Sequence, residues 1–250
     1  MPQKTVLITG ASRGIGRATA IAAATRGWSV GVNYNLDAGA AQEVVETIAK
    51  IGGRAVALRG DVTREDDVVG MFVSAENALG PITDVVVNAG VTAPASKLAD
   101  MSLERMRNVF EVNTLGAYLT AREAARRMMK SRGGQGGSIV LVSSAAARLG
   151  SPNLYVDYAG SKGAIDTLTR GLSIELGPEG VRVNCVRPGL IETEMHASGG
   201  EPDRAITLGA GTPMGRAGLV EEVAESIAFL IDDAAASYIT GAILDVTGGR

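Results

Sequence analysis

Two spacings of apolar residues take turns along this chain. Short runs that are apolar almost throughout, such as Val6-Leu7-Ile8, Val85-Val86-Val87 and Ile139-Val140-Leu141-Val142, have strand length. Runs of that kind predict strands buried on both faces of a sheet. Between them, apolar positions recur three and four apart, the spacing of a helix with one face toward a core. The pattern predicts strands at Lys4–Thr9, Ser29–Asn33, Arg54–Leu58, Thr83–Val87, Ser138–Val142, Val181–Val186 and Ala242–Val246. It predicts helices from the first glycine-rich turn to Arg26, from Asp37 to Ile51, from Arg64 to Leu79, from a Ser102 cap to Arg132, from Tyr155 to Leu176, and from Val220 to Ile231. This alternation argues for an α/β fold, a parallel sheet with helices on both faces. No repeat or linker interrupts it, so residues 1–250 read as one domain. The stretch at about 190–219, rich in Gly, Pro, Ser and Thr, reads as a substrate lid loop.

The first strand runs into Gly10-Ala11-Ser12-Arg13-Gly14-Ile15-Gly16 and then a helix. In that setting Gly10 permits the turn, Gly14 lets backbone approach a pyrophosphate, and Gly16 lets helix and strand pack closely. The helix N-terminus would offer its free N–H groups to the phosphates. The second strand ends at Asn33-Tyr34-Asn35, with Asp37 a few residues late, so the acid that would hold an adenosine ribose 2′-OH is missing. Arg13 lies near the same ribose and suits a 2′-phosphate. Both features favour NADP, with NAD the alternative.

Asp61, before Val62, is either an acceptor for the adenine amino group or part of the next helix start, where Thr63 and Asp66 resemble a weak cap. Asn88-Ala89-Gly90 follows the fourth strand, either skirting a cofactor or simply turning. Asn113 falls inside a predicted helix, where Asn is disfavoured and wants a partner. Ser143 and Ser144 end the fifth strand, on the side where parallel sheets bind ligands.

Tyr158 and Lys162 stand four apart on the next helix, so phenol and ammonium can reach one point. A phenol titrates near ~10; bringing it to about 7 takes roughly 4 kcal/mol, which a nearby cation could supply. Taken alone, the pair is equally a surface lysine beside a half-buried tyrosine. Leu154, Tyr155, Met195 and His196 are pocket or lid candidates, and His196 reads as an exposed loop histidine.

Composition narrows the class. Hydrophobic residues make up 46% and charged residues 20%, as in ordinary globular enzymes. With a net charge of -3 and scattered basic residues, no nucleic-acid surface is expected. The single cysteine, Cys185, excludes an internal disulfide and any multi-cysteine metal site, and no metal is expected. No run has the length of a membrane span or a leader, so a cytoplasmic protein away from the membrane is expected.

Thr9-Gly10-Ala11-Ser12-Arg13-Gly14-Ile15-Gly16, Asn88-Ala89-Gly90, Asn113, Ser144, Tyr158-Ala159-Gly160-Ser161-Lys162 and Pro188-Gly189 together resemble the motif set of the short-chain dehydrogenase/reductase family, in that family's order and over essentially the whole chain. Within it the chain is similar to glucose/ribitol-dehydrogenase-like members and 3-oxoacyl-acyl-carrier-protein reductases. The resemblance implies a Rossmann-type doubly wound sheet of order 3-2-1-4-5-6-7. It implies a short-chain NAD(P)-dependent oxidoreductase acting on CH–OH groups, with a small carbonyl or alcohol as substrate. Tyr158 would be the acid/base, and Lys162 would lower its pKa and hold the nicotinamide ribose. Ser144 would orient the carbonyl and Asn113 would hold a relay water. Asp61 and Val62 would contact adenine, Asn88 the ribose side, and Ile191 and Thr193 the carboxamide, with Asn33, Tyr34, Asn35, Ala89, Gly90, Pro188 and Gly189 along the cofactor. A homotetramer paired through helices at 103–131 and 155–177 is also implied. Ser144 is fourteen residues before Tyr158, where most relatives have thirteen, which points to an extra residue in Gly150-Ser151-Pro152-Asn153. A catalytically silent dinucleotide-binding scaffold or sensor, and a dehydratase or epimerase on the same fold, are the alternatives.

Overall fold

The computed structural model describes residues 4–194, 200 and 203–250. Seven strands form one sheet: β1 (Thr5–Ile8), β2 (Ser29–Tyr34), β3 (Ala55–Arg59), β4 (Asp84–Val87), β5 (Gly137–Val142), β6 (Val181–Pro188) and β7 (Ile243–Val246). Their order is β3-β2-β1-β4-β5-β6-β7 and every pairing is parallel, as the family resemblance implied. Every residue of β1 and β4 is buried, which is why Val6-Leu7-Ile8 and Val85-Val86-Val87 read as apolar runs, while the buried Asp84 that opens β4 is paired with Lys4 at 3.1 Å.

Alternate strand positions feed two separate cores. Leu7, Val85, Val87, Ile139, Leu141 and Val183 face one side. There they meet α3 (Glu65–Leu79), α5 (Gly116–Met128) and α7 (Val156–Leu176) through Phe72, Ala121 and Ile165, among others. Val6, Ile8, Val30, Val32, Val86 and Val140 face the other. There they meet α1 (Gly14–Thr25), α2 (Ala38–Lys50) and α9 (Val220–Ile231) through Ala20, Val44 and Ile227, among others. The period of two in the strands thus sorts residues to the two faces. Strand order reverses direction of growth between β1 and β4, and such a switch opens a crevice at the strands' C-terminal ends.

Three local features depart from the pattern-based prediction. The helix expected from Ser102 to Arg132 is built in pieces: α4 (Leu103–Phe110), a π turn (Glu111–Leu115) and α5. A π turn inserts a residue without disturbing the apolar spacing on either side, so the pattern does not reveal it. The Ser102 cap forms as expected, accepting from the Arg105 N–H at 3.1 Å. Thr63 does not cap α3; Arg64 holds that position without a side-chain bond, and Thr63 donates instead to Asp61. The segments expected to be loops carry α6 (Ala146–Leu149) and α8 (Arg204–Gly209), and Ile191 pairs with Gly218 in a parallel bridge. Met195 and His196 lie outside the described residues. No described helix is long and apolar enough to cross a membrane.

Candidate active site

At the switch point a cleft of about 580 Å³ runs from the glycine turn to the first turns of α7. That volume lies in the usual range for small-molecule sites. Its nucleotide end begins at Gly10 and Gly14, whose φ values of 62° and 53° are open to glycine at little cost. A Cβ on Gly16 would sit 2.3 Å from the Gly10 carbonyl oxygen, so helix and turn approach as only glycine allows. Arg13 is the N-cap of α1 and makes no capping bond, so the first turn of that helix has no side-chain cap. Its N–H groups and positive dipole end are free of the groups that usually cover them. Glycine turn, uncapped helix and cleft together fit the pyrophosphate of a dinucleotide.

Two asparagines expected beside the cofactor spend their side chains on the protein. Asn33 is buried; its Oδ1 accepts from Gly10 N–H at 3.1 Å, and its Nδ2 donates to the Leu58 and Gly60 carbonyls. Asn88 donates through Nδ2 to the Thr9 and Gly10 carbonyls at 2.9 and 3.1 Å. Both hold the glycine turn in shape from behind. Thr9, which opens the glycine-rich motif and to which the sequence assigns no role of its own, completes this support: its hydroxyl accepts from the Asn88 and Ala89 N–H groups. A buried threonine at a strand end has no pattern that would single it out.

Asp61 lines the cleft and accepts from the Thr63 amide and hydroxyl at 2.9 and 2.8 Å. Burial alone would raise its pKa, but Thr63, the Asn35 side chain and the Arg64 charge together hold it below the usual carboxylate range. Val62 is buried against Gly116, where a Cβ would meet its side chain at 2.7 Å. Ser12, Ile15, Tyr34, Asn35 and the exposed Arg13 also line this end. So does Asp37, which caps α2 by accepting from the Ala40 N–H at 2.9 Å. Ala89, Gly90, Pro188, Gly189, Ile191 and Thr193 line the middle of the cleft.

At the far end stand Ser144, Tyr158 and Lys162. Ser143 and Ser144 are separated by their partners. Ser143 is buried and donates to the Lys162 carbonyl at 3.0 Å. Ser144 accepts from the Ala146 N–H at 3.1 Å and shares a hydrogen bond with the Tyr158 phenol. Ser144 is therefore the hydroxyl that meets the tyrosine. The Lys162 ammonium is buried, lies 5.9 Å from the Tyr158 ring centre and donates to the Val142 carbonyl at 2.8 Å. Burial pulls its pKa down to about 8. Burial likewise pushes the Tyr158 phenol above its usual value, opposed by the Ser144 hydrogen bond. The expected lowering of Tyr158 by the Lys162 ammonium is not seen in the protein alone. The ammonium is turned to a backbone carbonyl, and its own charge is poorly solvated.

Asn113 is buried in the π turn. It accepts from the Val91 N–H at 2.7 Å and donates to the Val91 carbonyl and the Ser161 hydroxyl at 2.9 and 3.1 Å. A Cβ on Gly90 would lie 3.3 Å from Asn113 Oδ1 and 3.4 Å from Lys162 Nζ, so glycine there keeps amide and ammonium close. Both amide hydrogens of Asn113 are used and its Oδ1 already accepts from the Val91 N–H, so the side chain has one lone pair of Oδ1 left for a further donor.

Residues 10–250 match a family model described as Enoyl-(Acyl carrier protein) reductase. The chain is 50% identical over 244 residues to the uncharacterized oxidoreductase YgfF of Escherichia coli (strain K12), covering 98% of each chain. It is 40% identical to an L-rhamnose 1-dehydrogenase (NAD(P)(+)) of Sphingomonas sp. (strain SKA58), covering 98% of this chain and 95% of the relative. The structure is similar to a short-chain type dehydrogenase/reductase from Mycobacterium marinum, with a TM-score of 0.91 and 37% identity over 98% of this chain and 94% of that one. The chain belongs to the short-chain dehydrogenase/reductase family. It is thereby an NAD(P)-dependent oxidoreductase of CH–OH groups.

Proposed function

We propose that this protein is an NADP-dependent oxidoreductase interconverting a carbonyl and a secondary alcohol, with Tyr158 as acid and base. The observation that carries the reading is one cleft with a glycine turn at one end and Ser144, Tyr158 and Lys162 at the other. When bound, the nicotinamide cofactor supplies or takes up the hydride. Tyr158 gives its phenolic proton to the substrate oxygen in reduction and recovers it in oxidation. A phenol kept protonated by burial is suited to the donating role at neutral pH. Ser144, already bonded to that phenol, holds the substrate oxygen against it. Lys162 holds the ribose hydroxyls of the nicotinamide side, and Asn113 fixes the wall formed by Val91 beside it.

Arg13 pairs with the 2′-phosphate that separates NADP from NAD. It is exposed at the nucleotide end, and the nearby acid, Asp37, is engaged as a helix cap. Asp61 and Val62 border adenine; Ile191 and Thr193 border the carboxamide. The protein works in the cytoplasm as a homotetramer. Phe110, Leu115, Tyr118 and Ile174 are 42%, 50%, 43% and 79% exposed along the helices expected to pair, and a second copy would cover them. Light scattering on the purified protein distinguishes this from a monomer.

The reading is tested by initial rates of NADPH and NADH oxidation over a panel of β-keto esters, acetoacetyl thioesters, diketones, quinones and sugar lactones, followed by sugar and alcohol oxidation with NADP⁺ and NAD⁺. Turnover with preference for NADPH or NADP⁺ is expected. Tight cofactor binding with no turnover of any member would favour a binding-only protein. Conversion of a substrate without net cofactor oxidation would favour a dehydratase or epimerase.

A further inference from the structure

Arg105 lies in α4, touches neither the glycine turn nor the Ser144–Tyr158 pair, and has no role in the reading above. Its side chain is 13% exposed and that of Asp157 only 1%. The two meet in a fork: Nε donates to Asp157 Oδ2 at 2.8 Å and Nη2 to Oδ1 at 3.2 Å. The same guanidinium donates through Nη1 to the Pro94 carbonyl and through Nη2 to the Leu154 carbonyl at 3.5 Å. The Leu154 carbonyl also accepts from the Ser96 N–H at 3.0 Å. Asp157 in turn accepts from the Tyr158 N–H at 2.9 Å.

One cation therefore ties together three separate pieces of chain: the segment after β4, the segment before α7, and the turn of α7 that bears Tyr158. The first two supply facing parts of the substrate end, Val91 and Thr92 on one side, Leu149, Ser151 and Tyr155 on the other. The second turns through the left-handed region twice, at Ser151 with φ 42°, which serine disfavours, and at Asn153 with φ 65°, which asparagine tolerates. A serine holds that conformation only where the surroundings impose it. A guanidinium can grip a carboxylate and two carbonyls at once because its donors are fixed in a plane; an ammonium cannot reproduce that fork. Burial would raise the Asp157 pKa, but the Arg105 hydrogen bond, the Tyr158 amide and the Arg105 charge hold it below the usual carboxylate range. The pair stays ionised and fully partnered.

We propose that Arg105 and Asp157 are positioning residues, a clamp that fixes the two substrate walls around Tyr158 and so sets substrate affinity without touching substrate or cofactor. The substrate-affinity part of the inference rests on Tyr158 acting as the acid. Arg105→Lys and Asp157→Asn test it: Lys keeps the positive charge but not the planar fork, and Asn keeps an acceptor for the Tyr158 N–H but leaves the Arg105 charge without its counter-ion. Measured side by side are the melting temperature, the NADPH Kd by fluorescence, kcat and KM for the carbonyl substrate, and backbone hydrogen exchange. The KM is expected to rise about tenfold or more in either variant, the scale of loss expected when a substrate-positioning contact is loosened. NADPH Kd should stay within about twofold, because the nucleotide end makes no contact with the pair. Exchange should quicken in segments 91–101 and 150–157 and stay unchanged in the glycine turn. The double variant should be no worse than the poorer single one, as expected of residues acting as a unit.

Unchanged KM with unchanged exchange would overturn the clamp. So would a lowered melting temperature with exchange raised throughout and NADPH binding lost in parallel, which is what a merely structural ion pair produces. Exchange reads the clamp without turnover. A wild-type protein silent with every substrate would therefore sink the oxidoreductase reading, while the exchange pattern still decides whether the pair ties the two walls.

Discussion

The Ser144 hydroxyl and the Tyr158 phenol are hydrogen-bonded, and this bond opposes the effect of burial on the phenol. Removing it in Ser144→Ala leaves burial unopposed, so the Tyr158 pKa rises further. In the oxidation direction, where the phenolate is needed, the rising limb of the pH–rate profile moves to higher pH. In reduction, kcat falls about 100-fold, the usual loss when one donor to a developing oxyanion is removed. Rates across pH in both directions check this. An unmoved limb would show that the bond does not govern the titrating group.

Lys162 carries a stability cost in the protein without ligand. Its pKa falls from 10.5 to about 8, because burial disfavours the charged form. That depression corresponds to about 3 kcal/mol. The sign follows from proton counts. Between pH 8 and 10.5 the unfolded chain holds a proton on this lysine that the folded chain has shed, so stability from this group rises with pH. The cost is fully present below about pH 8. Lys162→Met should therefore melt higher than wild type at pH 7, with the gap closing toward pH 10.5, while turnover is lost. Thermal denaturation at several pH values checks it; a variant that melts lower at every pH would contradict the assigned cost.

Arg13→Ala should separate the two cofactors. A charge-assisted bond to phosphate is worth about 1.5–3 kcal/mol, or roughly 10- to 100-fold in affinity. The NADPH Kd should rise by that amount while the NADH Kd barely changes. Equal losses would remove Arg13 from the 2′-phosphate.

The sheet was legible in the sequence because parallel strands buried on both faces are largely apolar, and Val6-Leu7-Ile8 in β1 and Val85-Val86-Val87 in β4 meet that demand. Gly10, Gly14 and Gly16 were legible for a related reason, since each occupies a backbone position or approach that a Cβ would disturb. What stayed hidden depends on contacts between distant segments. Asn33 and Asn88 line the cleft, and nothing in the sequence tells that their amides also close onto the glycine turn. The π turn around Asn113 leaves the apolar spacing intact. Arg105 and Asp157 are 52 positions apart, and neither has a neighbour in sequence that would suggest the pair. The direction of the Tyr158 shift was also beyond the sequence, because it depends on how deeply the fold buries the phenol.

The central claim is that Tyr158 carries the proton while the rest of the cleft binds the cofactor. The most direct test compares Tyr158→Phe with wild type in one experiment, measuring kcat for the best carbonyl substrate and the NADPH Kd. The account predicts a fall in kcat of about 10²–10⁴-fold, the range for loss of a general acid, with NADPH bound as before. A variant that kept most of its turnover would contradict the account, because another group would then be supplying the proton.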